Sequence, residues 1–485
     1  MIRWSFMFHI LGSLIACIGL CMLAPLGFSF YYQDSSVWPL LISAGITVSV
    51  GACLYLAFWG GRVKGAISHR EGMAITTLGW VGACLFGSLP FYLSGVLPQP
   101  VDCIFETISG FTTTGASVIR DVESVAPGIL FWRSLTHWLG GLGIVVLGLA
   151  ILPFLGVGGM QLYKAEVPGP VVDKLKPRLK DTAMILWKVY LVFTVAETIL
   201  LLLGGMNLLD ALCHTFGTLA TGGFSTKNAS IGHYHSVYID TVVTFFMLIC
   251  GINFALHFQF FRGKPLALWR DPECRFYLGF WLLLTIIITL NCFFSRTYES
   301  FWKCLQYASF TVAAITTTTG YATGNFEVWP TLSLCLLLLC MVVGASVGST
   351  GGAVKCMRIM VILKHGYREL IRLIHPRAVL RLKLGDQAVP PEIFASISGF
   401  IFLYLGLAAV SMFLVAATGV DLVTTISSVL ACLGNIGPGL GEVGPMDNYA
   451  GMPEFAKWIL ALDMLLGRLE IYTVIIMFVP RFYKK

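Results

Sequence analysis

Long apolar runs alternate along this chain with shorter apolar runs, and each short run of the repeating part ends in a polar string that carries glycine. A bilayer core about 30 Å thick takes roughly 20 residues of helix, so the long runs read as spans. The short ones read as helices that enter the membrane and turn back. Two spans lead, Met7 to Tyr31 and Trp38 to Trp59, followed by a basic loop from Gly61 to Arg70. A module then recurs: span, short helix, string, returning span. Its copies run Gly72–Leu97, Asp102–Phe111 and Ile129–Leu155; Ala183–Gly205, Asp210–Leu219 and Tyr238–Phe261; Phe276–Phe294, Ser300–Ile315 and an interrupted Val328–Ile374; and Ile393–Thr418, Asp421–Cys432 and Phe455–Pro480. The expected fold is an all-α integral membrane protein with two extra spans in 1–70. Four tandem repeats follow in 71–182, 183–275, 276–391 and 392–485.

The strings are Thr112-Thr113-Thr114-Gly115-Ala116-Ser117, Ala220-Thr221-Gly222-Gly223-Phe224-Ser225, Thr316 through Ala322, and Gly434-Asn435-Ile436-Gly437-Pro438-Gly439. Small residues also serve close helix packing in membranes. Recurrence at similar spacing favours another use, four walls of one pore with an ion selectivity filter. Carbonyl oxygens of an extended backbone can replace the water around a monovalent cation, glycine leaves the path clear, and threonine adds hydroxyls. A short helix ending at such a string turns its negative end toward the cation. Asp102, Asp210 and Asp421, at the starts of three short helices, are expected to cap them.

Composition agrees. The 485 residues are 57% hydrophobic and 12% charged, with a mean hydropathy of +0.81, too little polar surface for a soluble globule. The formal charge of +7 raises nucleic acid as a partner, but the basic residues gather in alternate loops. By the positive-inside rule those loops, and both termini, face the cytoplasm, so no nucleic acid is needed. Fourteen cysteines lie scattered without a metal-ligand spacing, which predicts free thiols. His233-Tyr234-His235 lacks a third ligand, no nucleophile–base cluster is present, and an enzyme is not expected. The run from Arg358 to Lys383 reads as an inner face for anionic lipid or an acidic partner. Glu442 and Asp447, beyond the fourth string, read as outer-mouth acids.

Two features fall outside the repeat. Gly344-Ala345-Ser346-Val347-Gly348-Ser349-Thr350-Gly351-Gly352 interrupts the third returning span, and glycine costs about 1 kcal/mol in a helix interior, which predicts a break or irregular loop. Arg468 sits inside the last span, where a charge costs roughly 3 kcal/mol. Glu470, two residues on, points to another helical face, so backbone carbonyls of an irregular loop are the better partners.

Four covalently joined units of this kind resemble the Trk/Ktr/HKT superfamily of potassium transporters, and the two leading spans resemble its TrkH branch. The most specific stretches are Thr318-Thr319-Gly320-Tyr321, the interrupted third return helix and Leu466-Gly467-Arg468-Leu469-Glu470. The resemblance implies a pseudo-fourfold pore, a homodimer, and a cytosolic nucleotide-binding regulatory subunit. Its filter maps to Thr113, Thr114 and Gly115; Thr221, Gly222 and Gly223; Thr318, Thr319, Gly320 and Tyr321; and Asn435, Ile436 and Gly437. Gly222 and Gly434 remain neighbouring alternatives for the central glycine of their strings. Its gate maps to Gly344, Ser346, Gly348, Ser349, Thr350, Gly351 and Gly352 with Arg468. The expectation is potassium uptake across a bacterial cytoplasmic membrane, with potassium the only metal, no cofactor in this chain, and lipid around it. The alternative is a proton- or sodium-coupled symporter, for which Glu197, Asp463 and Glu470 are the candidate acids.

Overall fold

The computed structural model describes residues 3–61, 68–141, 143, 179–378, 380–385 and 387–482. Among them, six helices are long and apolar enough to cross a membrane: Trp4–Tyr32, Val37–Ala57, Arg70–Leu93, Ala183–Leu203, Pro272–Phe294 and Pro391–Ala416. Beside a buried apolar core, large apolar side chains also face outward. Leu203, Phe294, Phe402 and Phe413 lie exposed on these helices, while Thr113, Thr221, Thr318 and Asn435 are buried. Apolar lipid tails account for such a surface, and buried polar groups then serve structure or passage.

The leading helices pack closely. A methyl group on Gly51 would fall 2.4 Å from the Ala16 amide nitrogen, so glycine alone allows this approach of two backbones. Arg3 ties the pair to the next span through Glu71, 2.7 Å away. That span opens with a capping box, Ser68 accepting from the Glu71 amide and the Glu71 carboxylate accepting from Ser68.

Short helices occupy Pro100–Phe111, Leu208–Leu219, Phe301–Thr316 and Leu422–Leu433, of 12, 12, 16 and 12 residues. Most of their residues are buried, which lets protein rather than lipid meet the irregular backbone that follows. Asp421 caps the fourth as expected, accepting from the Val423 and Thr424 amides at 2.9 and 3.1 Å. The caps foreseen at Asp102 and Asp210 are not formed. Asp102 pairs with Lys457 at 2.7 Å, and the cap of the second helix is Asn207, with Asp210 in the first turn accepting from Thr226 at 2.6 Å.

Sequence pattern marks one broken return helix, the third, and the described residues contain three. The second bends by 101° between Val237–Cys250 and Phe254–Phe261. The third stops at Val342 and resumes at Cys356. The fourth stops at Arg468, where Glu470 and Ile471 take positive φ of 58° and 37°, and a short helix resumes at Tyr472. Arg468 therefore ends a helix rather than sitting mid-span. The first return helix is described for Pro127–Gly141, and its expected remainder to Leu155 lies outside the described residues, apart from Gly143.

Candidate functional site

Each short helix ends in the same turn. In the first, the Thr113 amide donates to the Gly110 carbonyl at 3.1 Å and the Thr114 amide to Ser109 at 2.9 Å. The other copies repeat the pair: Thr221 to Thr218 and Gly222 to Gly217, Thr318 to Ile315 and Thr319 to Ala314, Asn435 to Cys432 and Ile436 to Ala431. This is the Schellman arrangement, which calls for a left-handed residue just past the helix and favours glycine there. Here threonine takes that place three times and asparagine once, with φ of 54°, 54°, 62° and 54°. A β-branched residue is a genuine outlier in that region. Strain repeated at equivalent positions is retained where the surroundings enforce it, and such outliers cluster at functional sites.

Two residues later the backbone turns left-handed again, at Gly115, Gly223, Gly320 and Gly437, with φ of 84°, 79°, 75° and 99°. The shared pattern fixes the register between strings. Gly223 and Gly437 are the equivalents of Gly115 and Gly320; Gly222 lies between two left-handed residues, and Gly434 is an ordinary helix cap with φ −79°.

The four strings meet in cyclic order. A methyl group on Gly115 would lie 2.1 Å from the Gly222 oxygen, on Gly223 2.0 Å from the Thr319 oxygen, on Gly320 1.9 Å from the Ile436 oxygen, and on Gly437 2.6 Å from the Thr114 oxygen. Each glycine thus faces a carbonyl of the next string, and the fourth faces the first. The ring leaves no room for side chains at these positions.

Buried groups brace it from behind. Arg133 pairs with Glu106 at 2.7 Å, donates to the Ser225 carbonyl at 2.9 Å and stacks 3.5 Å over the Phe224 ring. Glu106 accepts from Ser117 and the Val118 amide, so one ion pair supports the first two strings. His137 bonds the Gly110 oxygen at 2.7 Å and accepts from the Phe224 amide at 3.1 Å. Tyr321 donates to the His214 and Phe224 carbonyls at 2.9 and 3.2 Å, joining the third string to the second. Asn435 donates to Thr114 at 3.0 Å and to the Met464 carbonyl at 2.9 Å, joining the fourth to the first.

The two faces of the ring differ. On one, a hollow is lined by Gly115, Gly223, Gly320 and Gly437 together with Asp447. Arg120, Arg133 and Lys227 line it too and Glu442 does not, so the expected acidic mouth carries mixed charge. Beside it, the Asn228 amide donates to Asp121 at 2.8 Å and holds that exposed carboxyl below the usual range.

On the opposite face stands the glycine-rich loop of the third return helix. Its ends are pinched together, the Gly344 amide donating to Val354 and the Val354 amide to Val342 at 2.9 and 3.1 Å. The Gly352 amide donates to the Thr318 hydroxyl at 2.7 Å, and a methyl on Gly351 would stand 3.0 Å from the Thr317 oxygen. The Ser346 amide and Thr350 hydroxyl reach the Gly251 and Cys250 carbonyls at 3.0 and 3.4 Å, and the Gly348 carbonyl accepts from Phe254 at 3.0 Å. The loop thus fills the break of the second return helix. Ser349 stays local, donating to the Ser346 carbonyl at 2.6 Å.

Arg468 donates to the Thr350 carbonyl at 2.6 Å and to the Gly140 and Gly141 carbonyls at 2.7 and 3.1 Å. A backbone carbonyl of the loop, that of Thr350, is among its acceptors, as its spacing from Glu470 predicts. Glu470 pairs instead with Arg358. Arg358 is buried against the Phe400 ring at 3.8 Å, and Lys355 is buried with its ammonium donating to the Gly351 carbonyl. Arg358 therefore does not belong to the exposed inner face to which the sequence reading assigned it. The burial of Lys355 had no local signal, because nothing in Val354-Lys355-Cys356 marks it as more than a basic flank.

Both carboxylate oxygens of Glu197 are buried without a hydrogen-bond partner among the described residues, and the neighbouring Thr218 hydroxyl donates to the His214 carbonyl. Asp463 accepts from Ser411 at 2.7 Å.

Residues 64–484 match the TrkH family, described as cation transport protein. The chain is 42% identical over 482 residues to the Trk system potassium uptake protein TrkH of Salmonella typhimurium, covering 98% of this chain and 99% of that protein. It is 44% identical over 480 residues to the protein of the same name in Halomonas elongata, covering 98% of each. Among solved structures, the crystal structure of the potassium transporter TrkH from Vibrio parahaemolyticus matches with a TM-score of 0.89 and 36% identity, over 99% of this chain and 100% of that one.

Proposed function

The chain belongs to the TrkH family of cation transport proteins, and from that membership we propose that it takes up potassium through the ring of four strings. The carrying observation is the ring itself, whose left-handed glycines face the carbonyls of neighbouring strings in a closed order. Thr113, Thr114 and Gly115, Thr221 to Gly223, Thr318 to Tyr321 and Asn435 to Gly437 form the filter, set in a pseudo-fourfold pore of four repeats. A cage of carbonyl oxygens stands in for the ion's hydration shell and discriminates by number, spacing and field.

The gate is the loop from Gly344 to Gly352, held beneath the filter by Arg468. A guanidinium in the path repels cations, and release of the loop opens it. A cytosolic nucleotide-binding subunit works the loop through the third return helix, and the chain pairs with a second copy. Support for pairing comes from the helix Cys356–Ile374, where Leu363, Tyr367, Leu370 and Ile374 form an exposed apolar stripe at helical spacing. Both termini lie on the cytoplasmic side of a bacterial inner membrane.

Purified protein in liposomes tests the reading. Rubidium tracer is expected to enter several-fold faster than sodium, at a rate set by its own gradient. Equal entry of the two ions would refute a potassium filter. A symporter is the second reading, favoured by Glu197, whose buried carboxyl makes no hydrogen bond among the described residues. Rubidium uptake that stops when the proton or sodium gradient is collapsed would establish it instead.

A further inference from the structure

The oxygens that hold the loop and Arg468 belong to several elements under the ring. They are the Thr318 hydroxyl of the third string, the Cys250 and Gly251 carbonyls at the end of the helix Val237–Cys250, and the Gly140 and Gly141 carbonyls at the end of Pro127–Gly141. The four carbonyls sit at helix C-termini, where aligned peptide dipoles leave negative partial charge. Apart from the Gly143 amide, which reaches the Gly140 carbonyl at 2.9 Å, the donors to this set among the described residues come from the loop or from Arg468: the Gly352 and Ser346 amides, the Thr350 hydroxyl and the guanidinium. One positive charge and a few N–H and O–H groups thus meet an all-oxygen shell drawn from three elements.

A further oxygen points the same way. Asn435 Oδ1 is fully buried and has no hydrogen-bond partner among the described residues. It would stand 3.1 Å from a methyl on Gly352 and 2.8 Å from one on Gly467, so it borders the place the loop fills. Buried acceptors are rarely left unmatched, and an unpaired one beside a shell of occupied ones marks an acceptor surface larger than the loop satisfies.

We propose that these oxygens form a second cation site beneath the filter, latent while the loop is in place, and that a potassium ion entering it competes with the loop for them. The proposal rests on the reading of the ring as an ion path. When the loop withdraws it takes its donors away, and carbonyls at membrane depth cannot stay bare. A potassium ion with its remaining water satisfies them and supplies the positive charge that Arg468 supplied. The guanidinium and the ion exclude one another from one small volume by charge. The lysine at 355, donating to the Gly351 carbonyl, travels with the loop side of this exchange, while the Arg358–Glu470 pair lies outside it. Potassium is then an opener of its own pathway as well as its cargo, because an ion in the lower site opposes return of the loop.

Hydrogen–deuterium exchange on the full chain in lipid nanodiscs tests this without relying on flux. The peptide covering residues 344–356 is followed in potassium, sodium and choline chloride at equal ionic strength. Potassium is expected to raise its exchange several-fold over choline, with sodium weaker. Thr318→Val removes one shared oxygen together with the Gly352 latch; its loop is expected to exchange faster in choline and to lose most of the further rise in potassium, whereas Thr318→Ser keeps it. Arg468→Gln, which weakens the loop's hold and leaves the oxygens, is expected to shift the half-effect to lower potassium. Exchange that is the same in potassium and choline, or a potassium response undiminished by Thr318→Val and unshifted by Arg468→Gln, overturns the proposal. Rubidium-selective flux from the same preparation with flat exchange refutes the latent site alone; unselective flux refutes the parent reading and this one with it.

Discussion

Lys457 and Asp102 are 355 residues apart in the chain and 2.7 Å apart in the fold, exposed by 4% and 15%. The pair joins the last return helix to the first short helix, on the side where the fourth string meets the first. Lys457 also donates to the Ala450 carbonyl at 3.1 Å, and the Tyr449 amide to the Ser117 carbonyl at 2.8 Å. Removing one partner of a buried ion pair leaves an uncompensated charge and costs about 3–5 kcal/mol, whereas removing both costs far less. Asp102→Ala and Lys457→Met are each expected to lower the unfolding temperature in detergent by more than the double variant does. Additive losses in that double-mutant cycle would show that the pair does not close the ring.

Side chains added at the ring should damage discrimination before folding. A β-carbon at Gly115 or Gly320 meets a carbonyl of the next string at 2.1 or 1.9 Å, so the cage must open to admit it. Gly115→Ser and Gly320→Ser are expected to reduce the rubidium-over-sodium preference on the order of tenfold, equivalent to about 1.4 kcal/mol. Tracer competition in liposomes measures it, and an unchanged preference in both variants removes these glycines from the filter.

Arg468 makes three hydrogen bonds to carbonyls from two elements. A hydrogen bond to a charged group contributes about 1.5–3 kcal/mol, so losing even one moves a two-state gate by tenfold or more. Arg468→Ala, and separately deletion within Gly344–Gly352, is expected to raise potassium flux in the absence of any regulator while rubidium still enters faster than sodium. Flux at or below the wild-type level in both would sink the gate assignment.

Glu197 decides between uniport and proton coupling. Its neutral isostere fills the same volume, so Glu197→Gln should fold and conduct. With passive conduction, rubidium uptake in this variant keeps its rate and its indifference to a proton gradient. A symporter using this acid would lose gradient-driven accumulation, which uptake against a pre-set pH difference detects.

Under the proposed pairing and regulation, the helix Cys356–Ile374 and the residues just after it are expected to supply the contacts with other chains. Leu370 and Tyr367 are exposed on its apolar stripe, and Arg377 and Arg381 are exposed just beyond it. Leu370→Glu is expected to yield monomers in size-exclusion chromatography with light scattering. Arg377→Glu with Arg381→Glu should leave the dimer intact and weaken capture of the regulatory subunit at moderate salt. The opposite pattern would assign the two surfaces the other way round.

Local sequence carried much of this fold because spans, short helices and strings are each written in contiguous residues. Apolar length sets the spans, and four glycines between Gly344 and Gly352 announce the loop. The bend after Cys250 had a weaker sign in Gly251 and Asn253, diluted by the apolar residues on either side. The break after Arg468 had almost none, since its positive φ falls on Glu470 and Ile471, residues that do not favour it. Threonine in the left-handed region is equally invisible in sequence, because only the neighbouring strings hold it there. Contacts between copies were the least legible: Asp102 resembles a helix cap until Lys457 is folded against it, and Asn435 resembles a weakened threonine until its amide reaches Thr114.

That last substitution has a consequence for symmetry. A ring assembled from four identical subunits must repeat every residue and every hydrogen bond four times, so a change at one place is a change at all. Here one chain writes each quarter separately, and the Asn435-to-Thr114 bond exists at a single seam. The ring can therefore be altered a quarter at a time, by a mutagenist or by inheritance, and its tolerance need not be the same on every side.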